Sequence, residues 1–193
     1  RRVRLRIRRT RHGDHRSRER ALALTVEWLR RTGGRGTVGA RDRNLIESVS
    51  RLLDSLSDLK ELADRAMALA VEQFDAERGV LLLADPESGA LTPMAEHGAV
   101  DAVTVRDAMT YSHRVGERVT RSGGSVLITD APSDPRAASD SVLDLRLRSI
   151  VCVPMYLSGR VVGAVYMDDS RRPDAFSDAD RGLLEGFAHL MAV

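Results

Sequence analysis

The chain has 193 residues, of which 42% are hydrophobic, and it contains a single cysteine. This length is enough for one domain with a core and flanking segments. Aromatic residues make up only 4% of the chain, which argues against a nucleic-acid surface built on base stacking. No apolar run is long enough to span a membrane, no signal-peptide pattern is evident, and one cysteine excludes an internal disulfide. We therefore expect a cytoplasmic protein.

The net charge of +2 hides an asymmetry along the chain. Residues 1–43 contain 15 arginines and 4 acidic residues and so carry about +11, whereas the remainder carries about −9. This segment opens with arginines that alternate with Val3, Leu5 and Ile7, and it closes with a glycine-rich stretch. We interpret residues 1–43 as the tail of an upstream region with a linker, and residues 44–193 as the domain. Nucleic-acid binding through the arginines is the weaker alternative.

Two helices are predicted at the start of the domain. The first carries a narrow apolar stripe with steps of four, three and four residues, which suits a helix–helix seam. The second begins at Asp58, with Glu61 three residues later as in a capping pattern, and it runs to about Phe74. The stripe of the first helix consists of Leu45, Val49, Leu52 and Leu56. The inward residues of the second helix are expected to be Leu59, Leu62, Ala66 and Leu69.

Short strands and one further helix come next. Turn-forming residues separate a buried strand from a returning strand. The double glycine Gly123-Gly124 ends a helix, and a polar loop with two prolines leads to a short helical turn. Residues 101–110 give no clear signal. The elements are strands 80–83, 91–97 and 125–128, a helix 111–121, a loop 129–141 and a turn 142–145.

Residues 148–169 form a predicted hairpin of two apolar strands around a Leu-Ser-Gly turn. Both faces of the first strand are apolar, so both must be covered. Pro154 predicts a bulge, and Gly163 in the partner strand 161–167 leaves room for a close neighbour. One face is assigned Ile150, Cys152 and Tyr156, and the other is assigned Val151, Val153 and Met155.

The last predicted element is a helix over residues 178–192, capped by Ser177. Its inward residues are Leu184, Phe187 and Met191. Because most strand connections are short, the order of elements predicts an α+β fold with an antiparallel central sheet and helices on both faces.

Four stretches together resemble the GAF domain family. Residues 76–91 look like its first hairpin, and residues 118–136 look like its helix, short strand and pocket loop. Residues 147–169 are similar to its central hairpin, and AFSDADRGLLEGFAHLMA is similar to its closing helix. The resemblance covers about residues 44–193. In particular, the chain resembles GAF domains found ahead of sigma-54-activating ATPase modules, cyclases and histidine kinases. We recognise no such output module in this chain.

The resemblance implies a non-catalytic sensory or regulatory domain of a bacterial signalling protein. Members bind small ligands such as cyclic nucleotides, formate, haem or bilins in a pocket over one sheet face, and many dimerise through their first and last helices. The ligand or cofactor of this chain is not identified by the resemblance. We expect a homodimer whose interface includes Leu45, Val49, Leu52, Leu56, Leu184, Phe187 and Met191.

Cys152 is the first candidate for a nucleophile or a chromophore anchor. A nucleophilic cysteine needs a nearby base and a partly exposed, electropositive site, but Cys152 lies between apolar residues. We interpret it as a core residue. The sulfoxide-reducing enzymes of the family use several cysteines, and this chain has one. Because no nucleophile–base pair, phosphate loop or metal-ligand cluster is evident, we expect neither an enzyme nor a metal site.

Two histidines are candidates for haem or metal ligands. His97 and His113 lie in no ligand cluster, so we interpret them as surface or hydrogen-bonded residues. Haem binding through His113 stays open, because its helix corresponds to the one that flanks the family's pocket.

The loop 129–141 corresponds to the loop that closes the family's pocket. Its arginine offers a bidentate clamp for a carboxylate or phosphate, and Tyr166 and Cys152 would form the pocket floor. The candidate ligand-binding residues are His97, Tyr111, Asp130, Asp134, Arg136, Arg148, Ser149, Cys152 and Tyr166. Two hypotheses stay open: a ligand-gated sensor, and a ligand-free dimerisation scaffold whose pocket is filled by its own side chains.

Overall fold

The computed structural model describes residues 59–98, 105–135 and 146–192, with the backbone alone for residues 105–109. The predictions for segment 1–43, for the turn 142–145 and for Arg136 lie outside the described residues. The predicted stripe of Leu45, Val49, Leu52 and Leu56 also lies outside them.

The described residues form helices and strands that are joined mostly by short connections. In chain order they are α1 (Leu59–Phe74), β1 (Arg78–Ala84), β2 (Leu91–Gly98), α2 (Val105–Ser122), β3 (Val126–Ile128), a 3₁₀ turn (Ala131–Ser133), β4 (Ser149–Leu157), β5 (Arg160–Asp169) and α3 (Asp178–Met191).

The five strands form one antiparallel sheet in the order β2-β1-β5-β4-β3. The central hairpin β4–β5 pairs Cys152 with Tyr166 and carries a register shift between Met155 and Tyr156. The bulge predicted from Pro154 is therefore present one residue further on. Gly163 is required in β5 because a Cβ there would lie 2.2 Å from the Leu82 carbonyl oxygen.

Each face of the sheet is covered by a different set of helices, as the sequence predicts. Helices α1 and α3 pack on the terminal-helix face, whose core includes Val151, Val153 and Met167. Helix α2 packs on the other face, the α2 face, together with Ile150 and Cys152. The alternation of β4 side chains thus separates two apolar clusters, as expected for a strand that is buried on both sides.

Helix α3 begins with a complete capping box. The Ser177 hydroxyl accepts a hydrogen bond from the Asp180 amide, and the Asp180 carboxylate accepts one from the Ser177 amide. These two bonds satisfy amides that would otherwise be unpaired at a helix start. The prediction of Ser177 as the cap is confirmed.

Three predictions about individual residues are wrong. Leu59 is 54% exposed because it is the first residue of α1 and lies outside the face that packs on the sheet. Tyr156 belongs to neither core cluster and is 37% exposed, since the register shift before it breaks the alternation of β4. Helix α2 begins at Val105 rather than at Tyr111, because residues 101–110 lack the apolar stripe that marks a helix in sequence.

The terminal helix α3 also corrects the predicted dimer interface. Leu184 and Phe187 are buried against the terminal-helix face of the same chain. Their side chains therefore offer no surface to a second copy, and their assignment to an interface is wrong. Met191 is partly buried at the edge of this core, and its role in an interface stays a prediction.

Candidate functional site

The α2 face brings together three of the residues predicted to line a pocket. Tyr111 from α2 shares one buried cluster with Cys152 and Tyr166 from the central hairpin. Gly116 allows α2 to approach the sheet, because a Cβ there would lie 2.6 Å from a methyl carbon of Leu82. Ala131 and Leu147, at the two ends of the loop after β3, complete the cluster.

This face also holds a buried ion pair that the sequence analysis missed. The Arg78 guanidinium nitrogen Nη2 donates a hydrogen bond of 2.5 Å to Oδ2 of Asp168, and both residues are almost fully buried. The antiparallel register pairs Arg78 of β1 with Asp168 of β5. The guanidinium carbon also lies 5.5 Å from the centre of the Tyr166 ring. Arg78, Asp168 and Tyr166 form the buried polar group of the α2 face.

The burial of this polar group changes its acid–base properties. Burial raises the pKa of Tyr166 well above its usual range, and the neighbouring Asp168 carboxylate raises it further. Burial also raises the pKa of Asp168, against the opposing effect of the Arg78 guanidinium. The pKa of Tyr111, across from this group on α2, is raised to about 12, mainly by burial. Both tyrosines are therefore neutral hydroxyl groups at physiological pH.

Asp130, Arg148 and Ser149 lie at the end of the sheet where β3 leads into the loop. An Arg148 guanidinium nitrogen is 3.3 Å from an Asp130 carboxylate oxygen, and both side chains are partly exposed. The Ser149 hydroxyl donates to the Ile128 carbonyl oxygen at 3.2 Å. Asp134 follows the 3₁₀ turn, and its amide donates to the Ala131 carbonyl oxygen. These residues surround the two ends of the loop, as the sequence predicts.

His97 does not join these residues. It lies exposed on β2, an edge strand, whereas Ser149 and Cys152 lie on β4, three strands further across the sheet. At a spacing of about 4.8 Å per strand, three strands separate residues by about 14 Å. The assignment of His97 to the same site is therefore wrong, and the reason is the strand order, which a sequence pattern does not reveal.

Cys152 has the environment of a structural residue. Its side chain is fully buried, and burial alone raises the pKa of its thiol. A thiolate is the reactive form of cysteine, so this environment suppresses nucleophilic chemistry. Within the described ranges, no group of three or more His, Cys, Asp or Glu residues is arranged to hold a metal ion. None of the helices in the described part of the chain has the length and apolarity needed to cross a bilayer.

A separate groove of about 510 Å³ lies at the other end of the sheet, beside the last turns of α3. The Ser125 hydroxyl donates to the Glu185 carboxylate at 2.5 Å within it. The Tyr156 hydroxyl donates to the Gly123 carbonyl oxygen at 2.7 Å. Its lining residues are Gly123, Gly124, Ser125, Pro154, Tyr156, Glu185 and His189. None of them was predicted to bind a ligand.

A five-stranded antiparallel sheet with helices on both faces is a fold that a known class of protein domains shares. The sequence profile described as "GAF domain" matches residues 57–193. The chain therefore belongs to the GAF domain family, and the predicted fold is confirmed.

Two curated proteins and one solved structure illustrate the family relationship. The chain is 31% identical over 168 residues to a dual 3',5'-cyclic-AMP and -GMP phosphodiesterase 11A of Takifugu rubripes, covering 76% of this chain and 18% of that protein. It is 27% identical over 152 residues to the Nif-specific regulatory protein of Azotobacter vinelandii, covering 76% of this chain and 29% of that protein. The chain thus spans less than a third of either relative.

The solved structure is a free methionine-R-sulfoxide reductase from Neisseria meningitidis in complex with its substrate. It aligns with a TM-score of 0.62 and 18% identity, over 78% of this chain and 86% of that one. This likeness extends to the fold alone. GAF domains are typical of sensory and regulatory proteins, and the same fold also supports enzymes.

Proposed function

We propose that this chain is a non-catalytic sensory module that binds a small ligand over the α2 face and transmits the binding state through its terminal helices. The observation that carries the proposal is the buried polar group Arg78–Asp168–Tyr166. An ion pair in an apolar interior is costly to desolvate and is commonly no more stable than hydrophobic residues of similar volume. Its presence on the α2 face, where Tyr111 and the loop ends converge, supports a role in recognition.

The burial of Cys152 supports the non-catalytic role in this proposal. The chain has one cysteine, and that cysteine is buried with a raised thiol pKa. Thiol redox chemistry through a disulfide needs two sulfur atoms and an accessible thiolate. The fold shared with a sulfoxide reductase therefore gives no ground for the same activity here.

The test is mass spectrometry of the full chain purified from its native host, in native and then denaturing conditions. We expect a released small molecule at a stoichiometric amount. The variant Tyr166→Phe removes one buried hydroxyl and should reduce its retention by about tenfold, the value of roughly one good hydrogen bond. Tyr156→Phe removes a hydroxyl outside the α2 face and should retain the molecule like the wild type.

A dimerisation scaffold is the second candidate function. Its specific support is the dense filling of the α2 face by Val80, Leu82, Ala164 and Tyr166, all fully buried by the chain's own atoms. In that case the same experiment yields a dimer that releases nothing. Nucleic-acid binding through residues 1–43 is tested separately by deleting that segment: nucleic-acid binding that survives the deletion would contradict it.

Relatives that contain this domain are much longer than this chain. We therefore propose that it regulates an output domain in a bacterial signalling protein and acts as a homodimer in the cytoplasm. Size-exclusion chromatography with light scattering measures the oligomeric state directly. A monomer at micromolar concentration would contradict the dimer.

A further inference from the structure

The end of β5 carries two consecutive aspartates that serve different faces of the sheet. Asp168 pairs with Arg78 on the α2 face. Asp169 is fully buried and, by strand alternation, points to the opposite side. A single peptide unit therefore links the buried polar group of the α2 face to the side that carries α1 and α3.

The Asp169 carboxylate organises the connection that leads into α3. It accepts hydrogen bonds from the backbone amides of Arg171 and Arg172 at 2.8 and 2.9 Å. It also accepts hydrogen bonds from the guanidinium groups of Arg171 and Arg172 at 2.7 and 3.1 Å. Although burial alone would raise it, these bonds lower the pKa of Asp169. The carboxylate is thus held in its charged form with four donors.

Arg172 extends this arrangement to the end of α1. Its guanidinium group binds the Asp75 carboxylate at 2.5 Å and also donates to the Asp75 carbonyl oxygen. Asp75 directly follows α1 and has a φ of 50°, a left-handed conformation that is uncommon for residues other than glycine. We call the contacts of Arg172 with Asp169 and Asp75 the Arg172 bridge. The bridge joins the end of α1 to the segment that starts α3.

A second contact ties the same corner together. The Glu77 carboxylate accepts hydrogen bonds from the Ser170 amide at 2.7 Å and from the Ser170 hydroxyl at 2.5 Å. The Glu77 amide donates to the Asp168 carbonyl oxygen at 3.1 Å. The segment before β1 and the segment after β5 are therefore hydrogen-bonded to each other beside Asp168.

The start of α1 and the end of α3 lie at the other end of the sheet. Near the start of α1, the Lys60 ammonium nitrogen lies 3.4 Å from the Met94 carbonyl oxygen. His189 in the last turn of α3 shares a groove with Pro154. Pro154 and Met94 belong to neighbouring rows of the sheet, far along the strands from Asp168. The bridge thus lies at the end of α1 and before the start of α3, away from these opposite helix ends.

We propose that the Arg172 bridge is the pivot of a relay, through which a change at Asp168 on the α2 face alters how α1 and α3 are held. The proposal rests on the proposed sensory function for its physiological input, but the coupling is a property of this chain alone. The relay requires that changes at Asp168 and at Arg172 interact energetically, as any coupling between two sites does.

Arg171 provides a matched control for the bridge. It also binds Asp169 with a hydrogen bond of 2.7 Å, but its hydrogen bonds in the described structure do not extend to Asp75. In hydrogen exchange of the full chain, Arg172→Ala should speed exchange of the amides at the end of α1, residues 71–75, by about tenfold, as expected for the loss of a partly exposed ion pair worth about one net hydrogen bond. Arg171→Ala should change it less than about threefold. Equal effects of the two variants would contradict the proposal that Arg172, unlike Arg171, holds the end of α1.

A double-mutant cycle tests the relay itself. Asp168→Asn should also speed exchange at residues 71–75, and its effect should fall at least about threefold when Arg172 is already Ala but persist when Arg171 is Ala. If Asp168→Asn does not fold, Tyr166→Phe replaces it, with a smaller change of the same pattern expected. Independent effects of the α2-face and Arg172 variants would overturn the relay.

The two proposals fail in different ways. If the chain releases and binds no small molecule but the cycle shows coupling, the sensory function is wrong and the relay stands as a property of the fold. If a ligand binds at the α2 face but the cycle shows no coupling, the sensory function stands and the Arg172 relay is wrong.

Discussion

The two faces of the sheet differ in what they bury. The terminal-helix face buries a large hydrophobic cluster from α1, α3 and the strands, and its buried carboxylate, Asp169, lies at the end of β5 against partly exposed arginines. The α2 face buries the Arg78–Asp168 ion pair and Tyr166 among its apolar neighbours. Hydrophobic burial accounts for stability, whereas a buried ion pair is weak support for it. This contrast supports the proposal that the α2 face, rather than the terminal-helix face, is the one that recognises a ligand.

The largest expected effect comes from breaking the ion pair on the α2 face. Asp168→Ala leaves the Arg78 guanidinium buried without its main counter-charge, which should lower the free energy of unfolding by about 3–5 kcal/mol. Urea denaturation measures this loss. Glu61→Ala removes an exposed partner of Arg65 and should cost less than about 1 kcal/mol. A comparable loss for both would contradict the distinct role of the α2 face.

The terminal-helix face should respond as an ordinary core. Leu184→Ala removes a fully buried side chain and should lower the free energy of unfolding by about 2–5 kcal/mol. The matched control is Leu59→Ala, because Leu59 is 54% exposed and should cost at most about 0.5 kcal/mol. Both values come from the same urea titration. A small loss for Leu184 would mean that this face is not closely packed.

Two glycines should respond with opposite signs to substitution by alanine. Gly163→Ala places a Cβ 2.2 Å from the backbone oxygen of Leu82, so the β1–β5 pairing must shift, at a cost of about 1–3 kcal/mol. Gly182 in α3 has no atom within 4 Å of a new Cβ, and alanine should stabilise the helix by about 0.5–1 kcal/mol. Thermal unfolding compares the two. Destabilisation by Gly182→Ala would show that α3 is packed differently.

The last prediction concerns the pH dependence of the Asp169 contacts. Because its folded-state pKa is lowered, Asp169 contributes stability above its ordinary pKa of about 3.9, and this contribution is lost as pH falls through the lower folded-state value. Asp169→Asn should therefore cost about 2 kcal/mol at pH 7 and progressively less below about pH 4. Urea titrations across this pH range measure it. A difference that grows as the pH falls would contradict the assignment.

Much of the fold could be predicted because its signals are local. The capping pattern at Ser177, the turn after Leu157 and the two-sided apolar strand at Cys152 each depend on a few adjacent residues. The same stretches carried the resemblance to the family. The start of α2 was missed because residues 101–110 have no apolar periodicity.

The site was less predictable because its residues are joined by strand order and register. Arg78 and Asp168 are 90 positions apart and meet only because β1 pairs with β5. From sequence alone, the side chain of a charged residue at the end of an apolar strand is expected to be exposed to solvent. Leu184 and Phe187 show a different limit of sequence reasoning. An apolar helix stripe predicts burial, but it does not tell whether the chain itself or a second copy covers the stripe.

The most direct test of the proposed ligand site is hydrogen exchange of the chain as purified from its native host, with the small molecule that we expect it to retain, and after extraction of that molecule. We predict that extraction changes protection in α2 and along β5, and that the change extends to residues 71–75 at the end of α1. Protection that changes only on the terminal-helix face, or that changes nowhere, would contradict a ligand site at the α2 face.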